Sequence, residues 1–287
     1  HEKDLITEGI TYSPSLETFF VGSIYKRKIV AIDKRGDVRD FISNGQYGAK
    51  SFGGLKVDDR NSILWAVSGA WIFADGEKWK TALFKFNAKS GELLGKYPLA
   101  DSVSGFNDLA LKSDGSVYIT DTGAGAIYCK SPGKDEVEIF MPKQTFNFPN
   151  GIVLEGESLF VADGDGISKV SLKTKQVTKL KSPEGVELGG IDGLSSFEND
   201  LIGVQNGVTP RQVIRIKRNT SKTEINEIQV LDVQDVPRKN FSPTTGVVVD
   251  SSFYFLSNSQ VRSFDANRKI FPLDQLEPVY IKRIRLK

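Results

Sequence analysis

Four side chains in this sequence could together hold a hard cation: Glu8 in "TEGITY", Asn107 in "FNDLAL", Asn150 in "FPNGIV" and Asp192 in "GGIDGL". All four offer oxygen. Two carboxylates about 5 Å apart at an effective dielectric near 20 repel by roughly 3 kcal/mol, so a shared cation or a retained proton must offset them. Two amide oxygens beside them favour calcium, whose six to eight oxygen ligands water or substrate could complete, with magnesium as the alternative. Zinc would call for His or Cys. The sequence has one of each, His1 and Cys129. Ser-His-Asp, Cys-His and HExxH chemistry therefore lack their residues. Cys129, in "AIYCKS", reads as a small hydrophobe in a strand.

What could bring four distant residues to one point is a repeat. Each stands at the start of a similar stretch, and Gly53 in "GGLKVDDRNSILWAVSG" and Thr245 in "TGVVVDSSFYFLSNS" head two more. The six stretches recur at intervals of roughly 40–55 residues, each an alternating strand, a polar turn and a second apolar strand. Between them lie further two-strand signatures: "KIVAIDKRGDVRDF", "ALFKFNAKSGELLGKY", "AIYCKSPGKDEVEIF", "ISKVSLKTKQVTKL", "VIRIKRNTSKTEINEIQV" and "QVRSFDANRKIF". The pattern predicts an all-β fold, a six-bladed β-propeller with four antiparallel strands per blade, as one domain over residues 1–287. A pair of β-sandwiches or a seven-bladed ring would leave six matched openings unexplained, and the WD40 and kelch signatures are absent. The tail "PVYIKRIRLK" exceeds what a sixth blade built from "QVRSFDANRKIF" needs. It is expected to help close the ring beside the N-terminus, with Lys282, Arg283 and Arg285 guarding an outer edge.

In a propeller the innermost strand of every blade begins at one face of the disc, so the six column residues converge on the central channel. The plainer reading is that Asn and Asp before Gly make turns at strand starts, because they tolerate left-handed backbone. Four oxygen ligands in register favour the site.

Those motifs, in the order Glu, Asn, Asn, Asp at matching blade starts, resemble the SMP-30/gluconolactonase/LRE-like family over essentially the whole chain. These are calcium-binding six-bladed propellers related to diisopropylfluorophosphatase, paraoxonase and strictosidine synthase. The resemblance implies one catalytic calcium held by Glu8, Asn107, Asn150 and Asp192, and lactonase or related ester hydrolase activity. Gly105, in "GFND", stands where sugar lactonases carry an arginine, and the histidines of paraoxonase-like chemistry are missing. With Asp192 as nucleophile or general base, and Asn107 and Asn150 positioning cation and substrate, the expected reaction is Lewis-acid hydrolysis of a small molecule.

Connections between second and third strands should rim the pocket. In "SGAWIFADGEKWKT", Trp71 and Phe73 suit a lid, and Tyr25 and Arg211 on other connections could touch a polar substrate. The competing reading is a non-catalytic, calcium-stabilised propeller that binds a ligand or protein.

Hydrophobic residues make up 39% of the chain, enough for a large core. A net charge of +2 without a long basic block excludes a nucleic-acid footprint. No apolar run approaches the ~20 residues of a membrane span. A monomer is expected, and a chain processed to begin at His1 would be periplasmic or secreted.

Overall fold

A computed structural model describes residues 2–69, 81–99, 105–233 and 242–287. They form a six-bladed β-propeller, with five four-stranded antiparallel sheets and one of three strands. Innermost strands of the first three blades are Thr7–Ser13, Ser51–Asp58 and Phe106–Leu111; those of the last three are Ile152–Glu155, Ile191–Phe197 and Gly246–Val249. In blade one, Thr18–Ser23, Ile29–Asp33 and Val38–Ile42 follow outward in chain order.

Burial on two faces explains the apolar strands. Residues alternate across a strand, so each strand of a blade feeds the seams on both its sides. In Ile63–Gly69, Leu64 and Ala66 pack toward blade one while Trp65 and Val67 pack toward blade three. The apolar core is accordingly divided into six clusters, one for each seam between neighbouring blades. The cluster of Leu5, Ile10, Val21, Val30 and Leu256 joins the last blade to the first and so closes the ring. Hydrogen bonds reinforce it: the hydroxyls of Thr244 and Thr245 donate to the Glu8 carbonyl at 3.0 and 2.6 Å.

Blade six departs from the expected strand assignment. "QVRSFDANRKIF" supplies only an isolated bridge between Phe264 and Ile270. Its third strand is instead Ile281–Arg285, from the tail, paired with Ser252–Leu256. Among the described residues no fourth strand follows it. The physical reason lies in residues 257–280: Asn258 and Gln260 tie that segment to Pro278, Glu277 and Lys3 by side-chain hydrogen bonds, so it loops away from the sheet. The tail then takes the vacant place, with Ile281 in the seam to blade one and Ile284 in the seam to blade five.

Near the axis the inner strands nearly touch. A Cβ on Gly9 would stand 2.0 Å from the Gly53 carbonyl oxygen, and one on Gly193 would stand 2.7 Å from the Thr245 Cα. Only a residue without a side chain fits there. Gly9→Ala should therefore lower stability by about 1–3 kcal/mol through backbone overpacking, read as an earlier chemical denaturation midpoint; an unchanged midpoint would contradict this close approach.

Candidate functional site at the axial mouth

Because blade starts share one face, Glu8, Asp192 and Asn150 are brought together from blades one, five and four. The Asn150 side-chain amide donates to Asp192 Oδ1 at 2.7 Å. Asn206, in the connection after the second strand of blade five, donates to Asp192 Oδ2 at 2.5 Å and to the Pro243 carbonyl at 2.8 Å. Both Asp192 oxygens are thus fixed by amide N–H groups. Among the described residues the Oδ1 atom of Asn150 is buried without a hydrogen-bond partner, an unmet acceptor of the kind that natural interiors rarely leave.

Asn107 sits one blade away. Its amide donates to the Thr122 hydroxyl at 2.9 Å, and Thr122 donates to the carbonyl of Pro149, the residue before Asn150. Thr120 makes a parallel link, donating to the Asn150 carbonyl at 2.7 Å. Blade three therefore fixes the backbone on which Asn150 is presented. Gly53 and Thr245 complete the column: Gly53 has no side chain to offer, and Thr245 spends its hydroxyl on the Glu8 carbonyl.

Asp108 is a residue that the column did not single out. Five of the six column residues are followed by glycine, whereas Asn107 is followed by Asp108. That break in the pattern was its signal. The buried Asp108 carboxylate accepts backbone N–H groups from Leu109 at 2.8 Å and from Ile152, on blade four, at 3.3 Å. It lines a narrow axial cavity with Lys56, Gly9, Gly54 and Gly193. At about 10 Å³ the cavity has room for the centre of one water molecule. Asn206 carried no sequence signal, since its contact with Asp192 depends on the loop path.

Three carboxyls, Glu8, Asp108 and Asp192, are all raised. Burial, then the charges of Asp192 and Asp108, raise Glu8 well above the usual carboxylate range. Burial pushes Asp192 up to about 7, against the downward pull of the Asn206 and Asn150 amides; Asp108 adds to the rise and Arg262 opposes it. Burial also raises Asp108, with Lys56 and the two backbone N–H groups pulling the other way. Without a cation, protons must carry part of the compensation.

Do these residues suit a hard cation? The donor chemistry fits: two carboxyls raised by burial, Glu8 also by the charge of Asp192, and a buried amide oxygen in need of a partner. Carboxylates alone do not suffice, because among the described residues no group of three or more His, Cys, Asp and Glu side chains could hold an ion. A cation here would depend on the amide oxygens.

On the rim, the Tyr25 ring lies 6.1 Å from the Phe264 ring, so it contacts the blade-six excursion. Arg211 follows Asn206 in the same connection; burial and the nearby charge of Arg262 pull its guanidinium down. Trp71 and Phe73 lie outside the described residues. No helix among the described residues is long and apolar enough to cross a membrane.

No family model matches the sequence, nor does any curated protein. Solved structures do resemble it. A catalytically inactive virginiamycin B lyase from Staphylococcus aureus, with quinupristin, superposes with a TM-score of 0.65 at 16% identity, covering 90% of this chain and 80% of that one. A gluconolactonase from Xanthomonas campestris gives 0.64 at 13% identity, covering 88% and 83%. A chain of the nidogen/laminin complex gives 0.61 at 15% identity, covering 91% and 97%. At these identities the likeness establishes the six-bladed propeller fold alone.

The raised carboxyls set a pH dependence. Between the unfolded value near 4 and the folded value near 7, native Asp192 holds a proton that the unfolded chain has released. Stability from this group is present below the lower value and lost as pH rises through the upper one. Chelator-treated protein should thus melt at a lower temperature at pH 8 than at pH 5, and Asp192→Asn should flatten that decline. Equal slopes for the two proteins across this range would refute the assignment.

Proposed function

We propose that this chain is a cation-dependent hydrolase of the SMP-30/gluconolactonase-like kind, opening a lactone or cleaving a related ester at the axial mouth. The observation that carries the reading is the buried Asn150 Oδ1, unpartnered among the described residues, beside the Asp192 carboxyl whose charge raises Glu8. Glu8, Asp192, Asn150 and Asn107 would hold calcium, with magnesium as the alternative, because all four present hard oxygen. When bound, the ion supplies Lewis-acid polarisation of the substrate carbonyl.

The chain's own groups do the rest. Asp192 is held by Asn150 and Asn206 in one orientation, from which its carboxylate would take a proton from attacking water. Water adds to the carbonyl carbon, the ester C–O bond breaks, and the proton taken by Asp192 passes to the departing alkoxide, giving a hydroxy acid from a lactone or an acid and an alcohol from an open ester. Asn206 is a positioning residue, because it acts through Asp192. Histidine chemistry has little to draw on here: the inactive virginiamycin B lyase carries a histidine-to-alanine replacement, while the only histidine in this sequence is His1.

A second reading has one observation in its favour. The axial cavity holds about one water, which suits a cation that stabilises the disc while the rim binds a ligand or protein.

Calorimetric calcium titration of chelator-treated protein, run beside a panel of lactones and aryl esters, separates the two. Hydrolysis predicts one-to-one binding with calcium-dependent turnover, and a loss of about 10²–10⁴-fold in kcat for Asp192→Asn with the fold retained. Binding without turnover supports the second reading, and absence of binding overturns both.

A further inference from the structure

The incomplete sixth blade leaves a slot. Its outermost strand, Ile281–Arg285, pairs on one side with Ser252–Leu256 and, among the described residues, with nothing on the other. Beside that free edge the face of blade one that a fourth strand would cover is open. A groove of about 460 Å³ runs there, walled by Leu5, Val21, Val30, Ile32 and Val38 on one side and by Val279 and Ile281 on the other. Val38 is 52% exposed, an apolar side chain with no neighbour to cover it. A free edge beside an apolar floor is the arrangement in which an added strand gains both main-chain hydrogen bonds and side-chain pockets.

Register decides what such a strand must carry. Ile281, Arg283 and Arg285 lie opposite Leu256, Tyr254 and Ser252. Leu256 packs in the seam with blade one, and the Tyr254 ring meets Phe19 of blade one at 5.1 Å. These three side chains of the edge therefore point toward the groove side, while Lys282 and Ile284 turn to blade five. Arg283 reaches the Ser252 hydroxyl at 3.1 Å and the Tyr254 ring, and among the described residues neither it nor Arg285 makes an ion pair. The groove wall also carries Glu2, Asp37, Asp40 and Arg39; Glu2 and Asp40 share Lys28 at 2.6 Å and Asp37 binds Arg35 at 3.1 Å, so its three carboxylates stand beside three cations, Lys28, Arg35 and Arg39. The slot is thus apolar at one end and carries surplus positive charge at the other.

We propose that this slot docks an extended acidic segment of a partner protein, which adds antiparallel to Ile281–Arg285 as the fourth strand of blade six. On the face toward blade one the segment carries two carboxylates, opposite Arg285 and Arg283, and then an apolar residue opposite Ile281, at every second position. A second copy of this chain does not satisfy the slot, since edge-to-edge pairing would set arginine against arginine.

The test uses the full chain and short labelled peptides with Glu, Glu and Val at alternating positions, read by fluorescence anisotropy. A charge-reversed peptide with Lys in place of Glu is the comparison. The glutamate peptide should bind at least about tenfold more tightly, and the exposed double change Arg283→Glu with Arg285→Glu should invert that preference. Alternate backbone amides of Ile281–Arg285 should become protected from hydrogen exchange on binding. Equal binding of the two peptides, binding of neither, or a concentration-dependent dimer that excludes the peptide would each overturn the proposal.

Discussion

Everything at the functional face depends on how tightly six inner strands crowd the axis. A ring of six leaves no room for side chains at the points of closest approach, so glycine follows the column residue in five blades. Backbone then meets backbone, and the residue one position earlier is directed to the shared mouth. The same crowding that demands glycine for packing therefore assembles oxygen-bearing side chains from distant parts of the chain.

That assembly is electrostatically expensive. Glu8, Asp108 and Asp192 are each driven up by burial, and the first and last also by neighbouring carboxyls. The structure offsets part of this with amides: Asn150 and Asn206 for Asp192, and the N–H groups of Leu109 and Ile152 for Asp108. The remainder is left to protons or to a bound cation. A group raised to about 7 is costly as a structural element and marks a candidate functional site, which links the energetics of the disc to the chemistry proposed for its mouth.

Blade six shows a different compromise. Five blades complete four strands, but the last spends residues 257–280 on an excursion toward blade one and builds its third strand from the tail. Ring closure rests on inner strands and on the seam around Leu256, to which the tail strand adds Ile281. The outer position is consequently free, and its edge is basic.

Much of this was legible in the residue pattern. Repeated turns and period-two apolar strands specify blades locally, since each strand's two faces must feed two seams, and the repeat places Glu8, Asn107, Asn150 and Asp192 at equivalent starts. Asp108 was half-legible, as the one place where glycine gives way to a carboxylate. Asn206 was not, because no periodicity governs a loop side chain that finds its partner fourteen positions away. The sixth blade was misassigned for a similar reason: "QVRSFDANRKIF" and "PVYIKRIRLK" have comparable strand character, and pairing is settled by hydrogen bonds from Asn258 and Gln260 to residues far along the chain. The sequence by itself determined the repeating unit, its number and the chemical types at the axis, because these follow from local pattern. Only the tertiary structure decided which carboxyls feel one another, which amides restrain them and which sheet edge is left open, because those depend on distances between residues that the chain keeps apart.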